Sequence, residues 1–117
     1  MRVLGFLVAV ALTSCAAVPE SLAYPDTSNY ESHSASAVNA VISDALEPLG
    51  LTVVRHDFDG GCGYVKAVSP SGAVTEIRYD WVVAGTTYLQ VRSTRAYAHK
   101  LSDEVLFAIS DALNTPG

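Results

Sequence analysis

The sequence predicts a small α+β domain in which two helices pack on one face of a small antiparallel sheet of three to four strands. Two segments carry apolar residues at three- and four-residue steps, which is typical of amphipathic helices. The segments between them alternate apolar and polar residues and are separated by turns rich in glycine, as in strands with one covered face. The chain has 117 residues, a length that fits one domain.

The first helix is predicted to begin near Ala35, after a capping serine at Ser34 or Ser36. It ends near Pro48 and Gly50, which are residue types that stop a helix. Its apolar face consists of Ala35, Val38, Val41, Ile42, Ala45, Leu46 and Leu49. A stripe of this width is typical of a helix that covers a sheet.

Four strands are predicted at residues 51–57, 63–69, 73–83 and 86–93. One face of the third strand carries Thr75, Ile77, Tyr79 and Trp81. The alternation in successive strands favours an antiparallel meander. A further short strand near Tyr30 is an option that the pattern leaves open.

The last helix is predicted to cover the sheet beside the first. Ser102 is its expected cap, with Leu101 and Leu106 at the positions of a hydrophobic staple. Its apolar stripe consists of Val105, Ala108, Ile109, Ala112 and Leu113. Residues 97–100 fit either this helix or the loop before it.

The amino terminus has the layout of a targeting signal. Arg2 precedes an apolar run at residues 3–12, and small or polar residues follow. About ten helical residues span only half of a bilayer core, so we expect a signal peptide at residues 1–14 and no membrane-spanning helix there. Residues 15–29 contain two prolines and no apolar period, which predicts a flexible tether. Residues 30–117 are expected to form the domain.

The apolar run ends in the sequence Leu12, Thr13, Ser14 and Cys15. These residues resemble the bacterial lipobox, in which a branched aliphatic residue and two small residues precede a cysteine. The resemblance implies that Cys15 is acylated and becomes the first mature residue, held in a bilayer by palmitate or similar chains. Ordinary cleavage after Ala16 or Ala23 is the alternative, and it would release a secreted chain without Cys15.

The excess of acidic over basic residues limits the kinds of molecule that the chain is expected to bind. The chain carries 7 Lys+Arg against 12 Asp+Glu, a formal net charge of −5. Few and scattered basic residues argue against binding to nucleic acid. An acidic chain is not attracted to anionic lipid, so the lipid on Cys15 would have to hold it at the bilayer. We expect a location in the bacterial cell envelope: the periplasmic side of the outer membrane in a host with two membranes, and otherwise the outer face of the cell membrane.

The first predicted helix ends within the segment 45–53, which also begins the next strand. The last predicted helix begins with Ser102, Asp103 and Glu104. Together with the lipobox and the tether, this order of elements resembles a family of short bacterial lipoproteins of uncharacterised function. The resemblance covers residues 34–113, implies the fold and the location, and brings no catalytic motif. Cys62 and the apolar segment 81–84 depart from the family pattern. A fainter similarity, in size and lipobox alone, is to small accessory lipoproteins of outer-membrane assembly machinery.

The outer face of the sheet is one candidate surface for a protein partner. Tyr64, Arg78, Tyr88 and Arg92 are predicted to point away from the helices, and Tyr and Arg are enriched at interfaces. The alternative is an ordinary solvated face with cross-strand charge pairs.

The apolar segment 81–84 is a second candidate. Either the strand continues and Trp81 closes one end of the core, or Trp81 and Val82 belong to an exposed patch that docks onto a partner or a bilayer.

Cys62 is the only cysteine that remains when Cys15 is acylated or removed. We therefore predict that Cys62 is either buried as a small apolar residue or joined to another chain, as in a homodimer, by an intermolecular disulfide. A nucleophilic thiol is the third alternative, and it would need a positioned base.

The histidines at positions 33, 56 and 99 lack the spacing of a metal motif. The glycine-rich turn at residues 57–63 fails as a calcium loop because Val68 stands where the twelfth, acidic residue belongs. We therefore expect neither a metal nor a cofactor.

These observations favour a membrane-anchored envelope lipoprotein that has no enzymatic activity and works as a binding or accessory protein. A secreted or phage-encoded surface exclusion factor is one alternative. A small hydrolytic enzyme is another, although no catalytic motif supports it.

Overall fold

A computed structural model describes residues 25–94 and 98–115. The strands are β1 (Thr27–Glu31), β2 (Thr52–Phe58), β3 (Cys62–Val68), β4 (Val74–Val83) and β5 (Thr86–Ser93). The helices are α1 (Ala35–Leu46), which continues into a 3-10 turn at Glu47–Leu49, and α2 (Ala98–Asn114). The predicted signal peptide at residues 1–14, Cys15 and the first part of the tether lie outside the described residues.

The strands form one antiparallel sheet in the order β1-β5-β4-β3-β2. The prediction of three to four strands is therefore wrong, because the sheet has five. The additional strand is β1, which contains the optional strand near Tyr30, and its residues 27–29 were assigned to the tether from their composition. An edge strand has one neighbour and needs little apolar surface, and in β1 only Glu31 is buried. Polar residues therefore form this strand without the alternation that predicts one.

Both helices cover the same face of the sheet, which confirms the predicted α+β class and the two-layer arrangement. The fully buried apolar side chains come from α1, α2 and one face of the inner strands: Val38, Ile42, Leu46, Val65, Ala67, Ile77, Tyr79, Leu89, Val91, Val105 and Ile109. We call the opposite side of the sheet, where Tyr64 and Arg78 lie, the open face.

The ends of α1 follow from the sequence. The Ser34 hydroxyl oxygen accepts a hydrogen bond from the Ala37 backbone N–H at 3.1 Å, which caps the first turn. After the 3-10 turn, Gly50 has a φ of 76°, a left-handed conformation that glycine adopts without strain. These are the start and stop that Ser34 and Gly50 predict.

Helix α2 begins earlier than expected. It includes residues 98–100, so Ser102 lies inside the helix and is not its cap. Ser102 is fully buried, and its hydroxyl donates to the carboxylate of Asp26 at 2.8 Å. The prediction for Ser102 is wrong because residues 98–100 already belong to the helix and the Ser102 hydroxyl faces the sheet, where it bonds to Asp26 and not to a backbone N–H at a helix start.

Within residues 25–94 and 98–115, neither helix is both long and apolar enough to cross a membrane.

Candidate binding site at the tip of the sheet

The hairpin between β4 and β5 ends in an irregular turn. The pairing register shifts between Trp81, which lies opposite Thr87, and Val83, which lies opposite Thr86. Val82 is therefore an extra residue in β4, a β-bulge that changes the direction of the side chains around it. Gly85 closes the turn with a φ of 75°.

Three consecutive apolar side chains are exposed at this turn. Trp81 is 56%, Val82 45% and Val83 56% exposed, and we call these three residues the apolar tip. Tyr79 is on the same face of β4 as Trp81 but is fully buried. The covered core therefore ends between these two residues. The strand continues through Val83, as the first interpretation of segment 81–84 expects, but Trp81 is exposed, as the second expects.

The tip is joined to the adjacent turn by a backbone hydrogen bond. The Trp81 backbone N–H donates to the Gly61 carbonyl oxygen at 2.8 Å, which holds the tip against the turn between β2 and β3. On the open face at the same end of the sheet, Tyr30 of β1 stacks on Tyr88 of β5 with ring centroids 4.7 Å apart. Tyr30 is 64% exposed and lies on the face of the sheet opposite to Trp81.

The turn that supports the tip is closed by Asp59. Its Oδ1 atom accepts hydrogen bonds from the backbone N–H groups of Gly61 at 3.1 Å and Cys62 at 2.9 Å. An aspartate that bonds to the backbone two and three residues ahead stabilises a turn locally. The glycine-rich sequence here therefore serves a strand connection.

On the open face, Tyr64 is held by its neighbours and buried to 4% exposure. Its hydroxyl donates to the Glu76 carboxylate, and the Arg55 guanidinium lies 5.0 Å from the centre of its ring. Burial, and then the hydrogen bond to Glu76, raises the pKa of the Tyr64 hydroxyl above its ordinary value. The structure therefore places this predicted binding residue within a network of the same chain.

The other predicted residues of the open face are partly covered. Arg78 Nε lies 2.7 Å from Asp80 Oδ2, and both side chains are less than one-third exposed. Burial raises the pKa of the Asp80 carboxyl, although the Arg78 charge opposes the shift. Tyr88 is half-buried under its stack with Tyr30, and Arg92 is half-buried opposite Glu76. Of the six predicted partner-binding residues, Trp81 and Val82 present the most surface.

Cys62 is buried, and its sulfur lies 3.6 Å from both carboxylate oxygens of Asp59. The sulfur is part of a disulfide in the structure. The chain has one other cysteine, Cys15, which lies outside the described residues.

A group of residues at the other end of the sheet contains the side-chain types of a hydrolase triad. Asp26 Oδ2 accepts hydrogen bonds from the Ser102 hydroxyl and the Ser93 backbone N–H, both at 2.8 Å. His99 Nδ1 lies 4.0 Å from Asp26 Oδ1, and its side chain is 81% exposed. A triad needs the serine to contact the histidine, whereas here the serine contacts the aspartate. These contacts join Asp26, the residue before β1, to β5 and α2.

Sequence reasoning missed a second polar cluster, between α1 and the sheet. The Tyr79 hydroxyl donates to Asn39 Oδ1 at 2.7 Å, and His56 Nε2 lies 2.6 Å from the same oxygen and 3.0 Å from the Tyr79 hydroxyl. Burial, reinforced by the charge of Asp57, raises the pKa of the Tyr79 hydroxyl. The apolar period of α1 gives no signal for this cluster, because Asn39 is beside the stripe and its partners are on distant strands.

In the described part of the chain, no three His, Cys, Asp or Glu side chains come together as a metal site. The chain matches no protein-family model and no curated protein.

Proposed function

We propose that the protein is a lipid-anchored protein of the bacterial envelope that works by binding another protein through the apolar tip. The observation that carries the binding role is the exposure of Trp81, Val82 and Val83 at one end of the sheet. Contiguous exposed apolar side chains on a small domain are typical of interaction sites, and tryptophan is prominent among the residues that dominate binding energies. The lipobox ending in Cys15 supports the anchor.

The anchor is tested by metabolic labelling with an alkyne-bearing fatty acid in the native bacterium. The wild-type chain is expected to carry the label and to remain with the membranes, and Cys15→Ser is expected to lose both properties. Cys62→Ser is the matched control, because it also removes a thiol but lies outside the lipobox, and it should keep the label. Unchanged labelling of Cys15→Ser, or a mature chain that starts at Ala17 or Tyr24, would refute the anchor.

The binding role is tested by pull-down of the mature protein from solubilised membranes. A specific co-purifying protein is expected with the wild type and is expected to be lost with Trp81→Ser. Phe107→Ser is the control, because Phe107 is 71% exposed on α2 and lies outside the tip. Equal recovery with both variants would exclude the tip as the binding surface.

The state of Cys62 follows from the same proposal. In an acylated chain the Cys15 sulfur is a thioether, so a disulfide at Cys62 would have to join it to a second molecule. Non-reducing electrophoresis of the lipidated protein is expected to show a reductant-sensitive dimer that Cys62→Ser abolishes. A single monomer band that does not change with reductant would contradict the homodimer.

A further inference from the structure

The centre of the open face is buried. Cys62 is 5%, Tyr64 4% and Gln90 9% exposed, and the Nε atom of Arg78 and the Oδ1 atom of Asp80 are shielded from water. Both helices lie against the opposite face, so in the described part of the chain no helix covers these side chains. An antiparallel sheet that is covered on one side only leaves its other face in contact with water. The burial therefore indicates a further layer over the open face.

The exposure of individual residues locates this layer. Strand pairing aligns the side chains of the open face in two rows across β1, β5, β4 and β3, namely Tyr30, Tyr88, Asp80 and Cys62 in one row, and Ser28, Gln90, Arg78 and Tyr64 in the next. Tyr30 and Cys62 are at the two ends of the first row, yet Tyr30 is 64% and Cys62 only 5% exposed. The layer therefore leaves the corner at Tyr30 uncovered and extends to the corner at Cys62.

The chain enters the described domain at the end of the sheet remote from the tip. Asp26 accepts a hydrogen bond from the Ser93 backbone N–H, and the Thr94 backbone N–H donates to the carbonyl oxygen of Val74 at 2.9 Å. These residues mark the base of the sheet. Cys62 lies three strands away from β1 and four positions nearer the tip than Asp26. At about 4.8 Å between strands and about 3.3 Å per residue, Asp26 and Cys62 are about 20 Å apart.

The chain before Asp26 is long enough to cross the open face to Cys62. From Cys15 to Asp26 it advances eleven residues, which reach about 36 Å when extended. Cys15 is the only other cysteine of the chain, and Cys62 is part of a disulfide. A second chain has little access to a sulfur on a side chain that is 5% exposed. Length, burial and cysteine content therefore favour a disulfide partner for Cys62 within the same chain.

We propose that Cys62 is joined to Cys15 of the same chain and that residues 16–24 lie across the open face as a strap. This segment lies outside the described residues. Its composition suits a covering layer, because it carries a single charge, at Glu20, and includes the apolar residues Val18 and Leu22. The strap does not rest on the proposed anchor, because it concerns the chain whose Cys15 has not been acylated.

The strap and the lipid exclude one another, because both use the Cys15 sulfur. Closing the strap converts two thiols into one disulfide: two protons leave the sulfur atoms, and two electrons reduce the disulfide of an oxidising thiol compound to two thiols. The reverse exchange opens the strap and restores the Cys15 thiol that acylation modifies. In the opened and acylated chain, the Cys62 thiol can join a second molecule. The closed form is therefore monomeric and without lipid, and the lipidated form is the one expected to dimerise.

The disulfide is tested on the full chain made by cell-free translation without lipid-modifying enzymes. The chain is oxidised with glutathione disulfide, alkylated with N-ethylmaleimide and digested with trypsin without reduction. Mass spectrometry of the monomer is expected to find peptide 56–66, which contains Cys62, linked to peptide 3–55, which contains Cys15. In the control Cys15→Ser, Cys62 should carry the maleimide. Alkylated Cys62 in the wild-type monomer, or two copies of peptide 56–66 linked together, would overturn the disulfide.

The position of the strap is tested by hydroxyl-radical footprinting of the same closed chain. The comparison is a chain that starts at Tyr24, the product of ordinary cleavage after Ala23. Oxidation of Tyr64 is expected to rise several-fold in the shorter chain, whereas the exposed Tyr30 should react equally in both. Tyr79, which is buried in the core, should be protected in both and reports that the shorter chain is folded. Equal protection of Tyr64 in the two chains would exclude a strap over the open face.

The competition with acylation is tested by fatty-acid labelling in the native bacterium. Treatment with the thiol oxidant diamide before the labelling pulse is expected to lower the label of the wild type several-fold. Cys62→Ser is the matched control, because it keeps Cys15 but cannot close the strap, and its label should not change. An equal loss in both chains would contradict the competition. Absence of label in the untreated wild type would refute the anchor alone, since peptide mapping and footprinting measure the strap without any lipid.

Discussion

The two ends of the sheet reverse the usual placement of side chains. At the base, polar groups are buried: the Ser93 hydroxyl lies 2.9 Å from both Thr75 Oγ1 and Ser102 Oγ, and Asp26 accepts from two further donors. At the tip, Trp81, Val82 and Val83 are apolar and exposed. Buried polar groups are stable when each has a partner, as at the base. The exposed tip has no equivalent compensation within the described part of the chain, which is why we assign it a binding role.

The boundary between covered core and exposed tip depends on one glycine. Gly63 lies beneath the ring of Tyr79, and a Cβ atom at this position would lie 2.1 Å from Tyr79 Cζ. The ring also stacks on Phe58, at 6.0 Å between centroids, and its hydroxyl is bonded to Asn39. Tyr79 is therefore the last covered layer before the tip, and it cannot move without losing these contacts.

Gly63→Ala is expected to have the largest effect on stability. The added methyl group would displace the Tyr79 ring and break its contacts with α1, at a cost of about 3 kcal/mol in the free energy of unfolding. Urea denaturation of the mature domain measures this. Gly61→Ala is the matched control in the same turn, because a Cβ there would meet no atom closer than 4.0 Å. Equal stability of the two variants would show that Gly63 is not needed for the Tyr79 layer.

At the base, Asp26→Ala is expected to cost about 2 kcal/mol, because it leaves the Ser93 backbone N–H without its acceptor and removes one acceptor of Ser102. Asp26→Asn keeps one side-chain oxygen and should cost less. Asp44→Ala, an exposed carboxylate on α1, is the control and should change the free energy of unfolding little. A loss of less than about 0.5 kcal/mol for Asp26→Ala would mean that the base does not need its polar network.

The sequence was sufficient to predict the helices and strands β2 to β5, because their apolar residues follow the period of the structure. It left β1 only as an optional short strand near Tyr30, because Thr27–Glu31 is held by backbone pairing with β5 and by the hydrogen bond that the Ser110 hydroxyl of α2 donates to Glu31. Such contacts join residues distant in the chain and leave no local pattern. Thr75 and Ser93 gave a partial signal, since both are polar at core-facing positions.

The tip was predicted only as one of two alternatives. Trp81 continues the alternation of Thr75, Ile77 and Tyr79, and this alternation favours a buried Trp81. The alternation does not show that the helices cover the sheet only as far as Tyr79. The bulge at Val82 also changes the side-chain direction, and its location depends on the pairing of two strands. Exposure at the tip is thus a tertiary property that the hydropathy of segment 81–84 cannot determine.

A smaller effect is expected at Asp80, between the tip and the open face. Burial raises the pKa of its carboxyl, so the folded chain binds this proton more tightly than the unfolded chain does. Its contribution to stability is therefore present at low pH and declines as the pH rises above about 4, the ordinary pKa of aspartate. Relative to Asp80→Asn, the wild type should lose stability between pH 4 and pH 7 in urea titrations.

Arg78→Gln provides the second measurement for Asp80. It removes the charge that favours the ionised carboxylate, so it should lower stability more at pH 7 than at pH 4. If the wild type instead gained stability relative to Asp80→Asn between pH 4 and pH 7, the ion pair with Arg78 would outweigh the burial of Asp80. A loss for Arg78→Gln that is no larger at pH 7 than at pH 4 would contradict the contribution of the Arg78 charge.

The smallest effect on stability is expected at the tip itself. Val83→Thr keeps the branched shape of the side chain and places a hydroxyl group where water already reaches, so the free energy of unfolding should change by less than about 0.5 kcal/mol. Val91→Thr makes the same chemical change at a fully buried position of the adjoining strand and should cost about 1–3 kcal/mol. If Val83→Thr cost as much as Val91→Thr, the tip would be part of the core. If it cost nothing while reducing the recovery of the partner protein in the pull-down, the apolar tip would be retained for binding and not for folding.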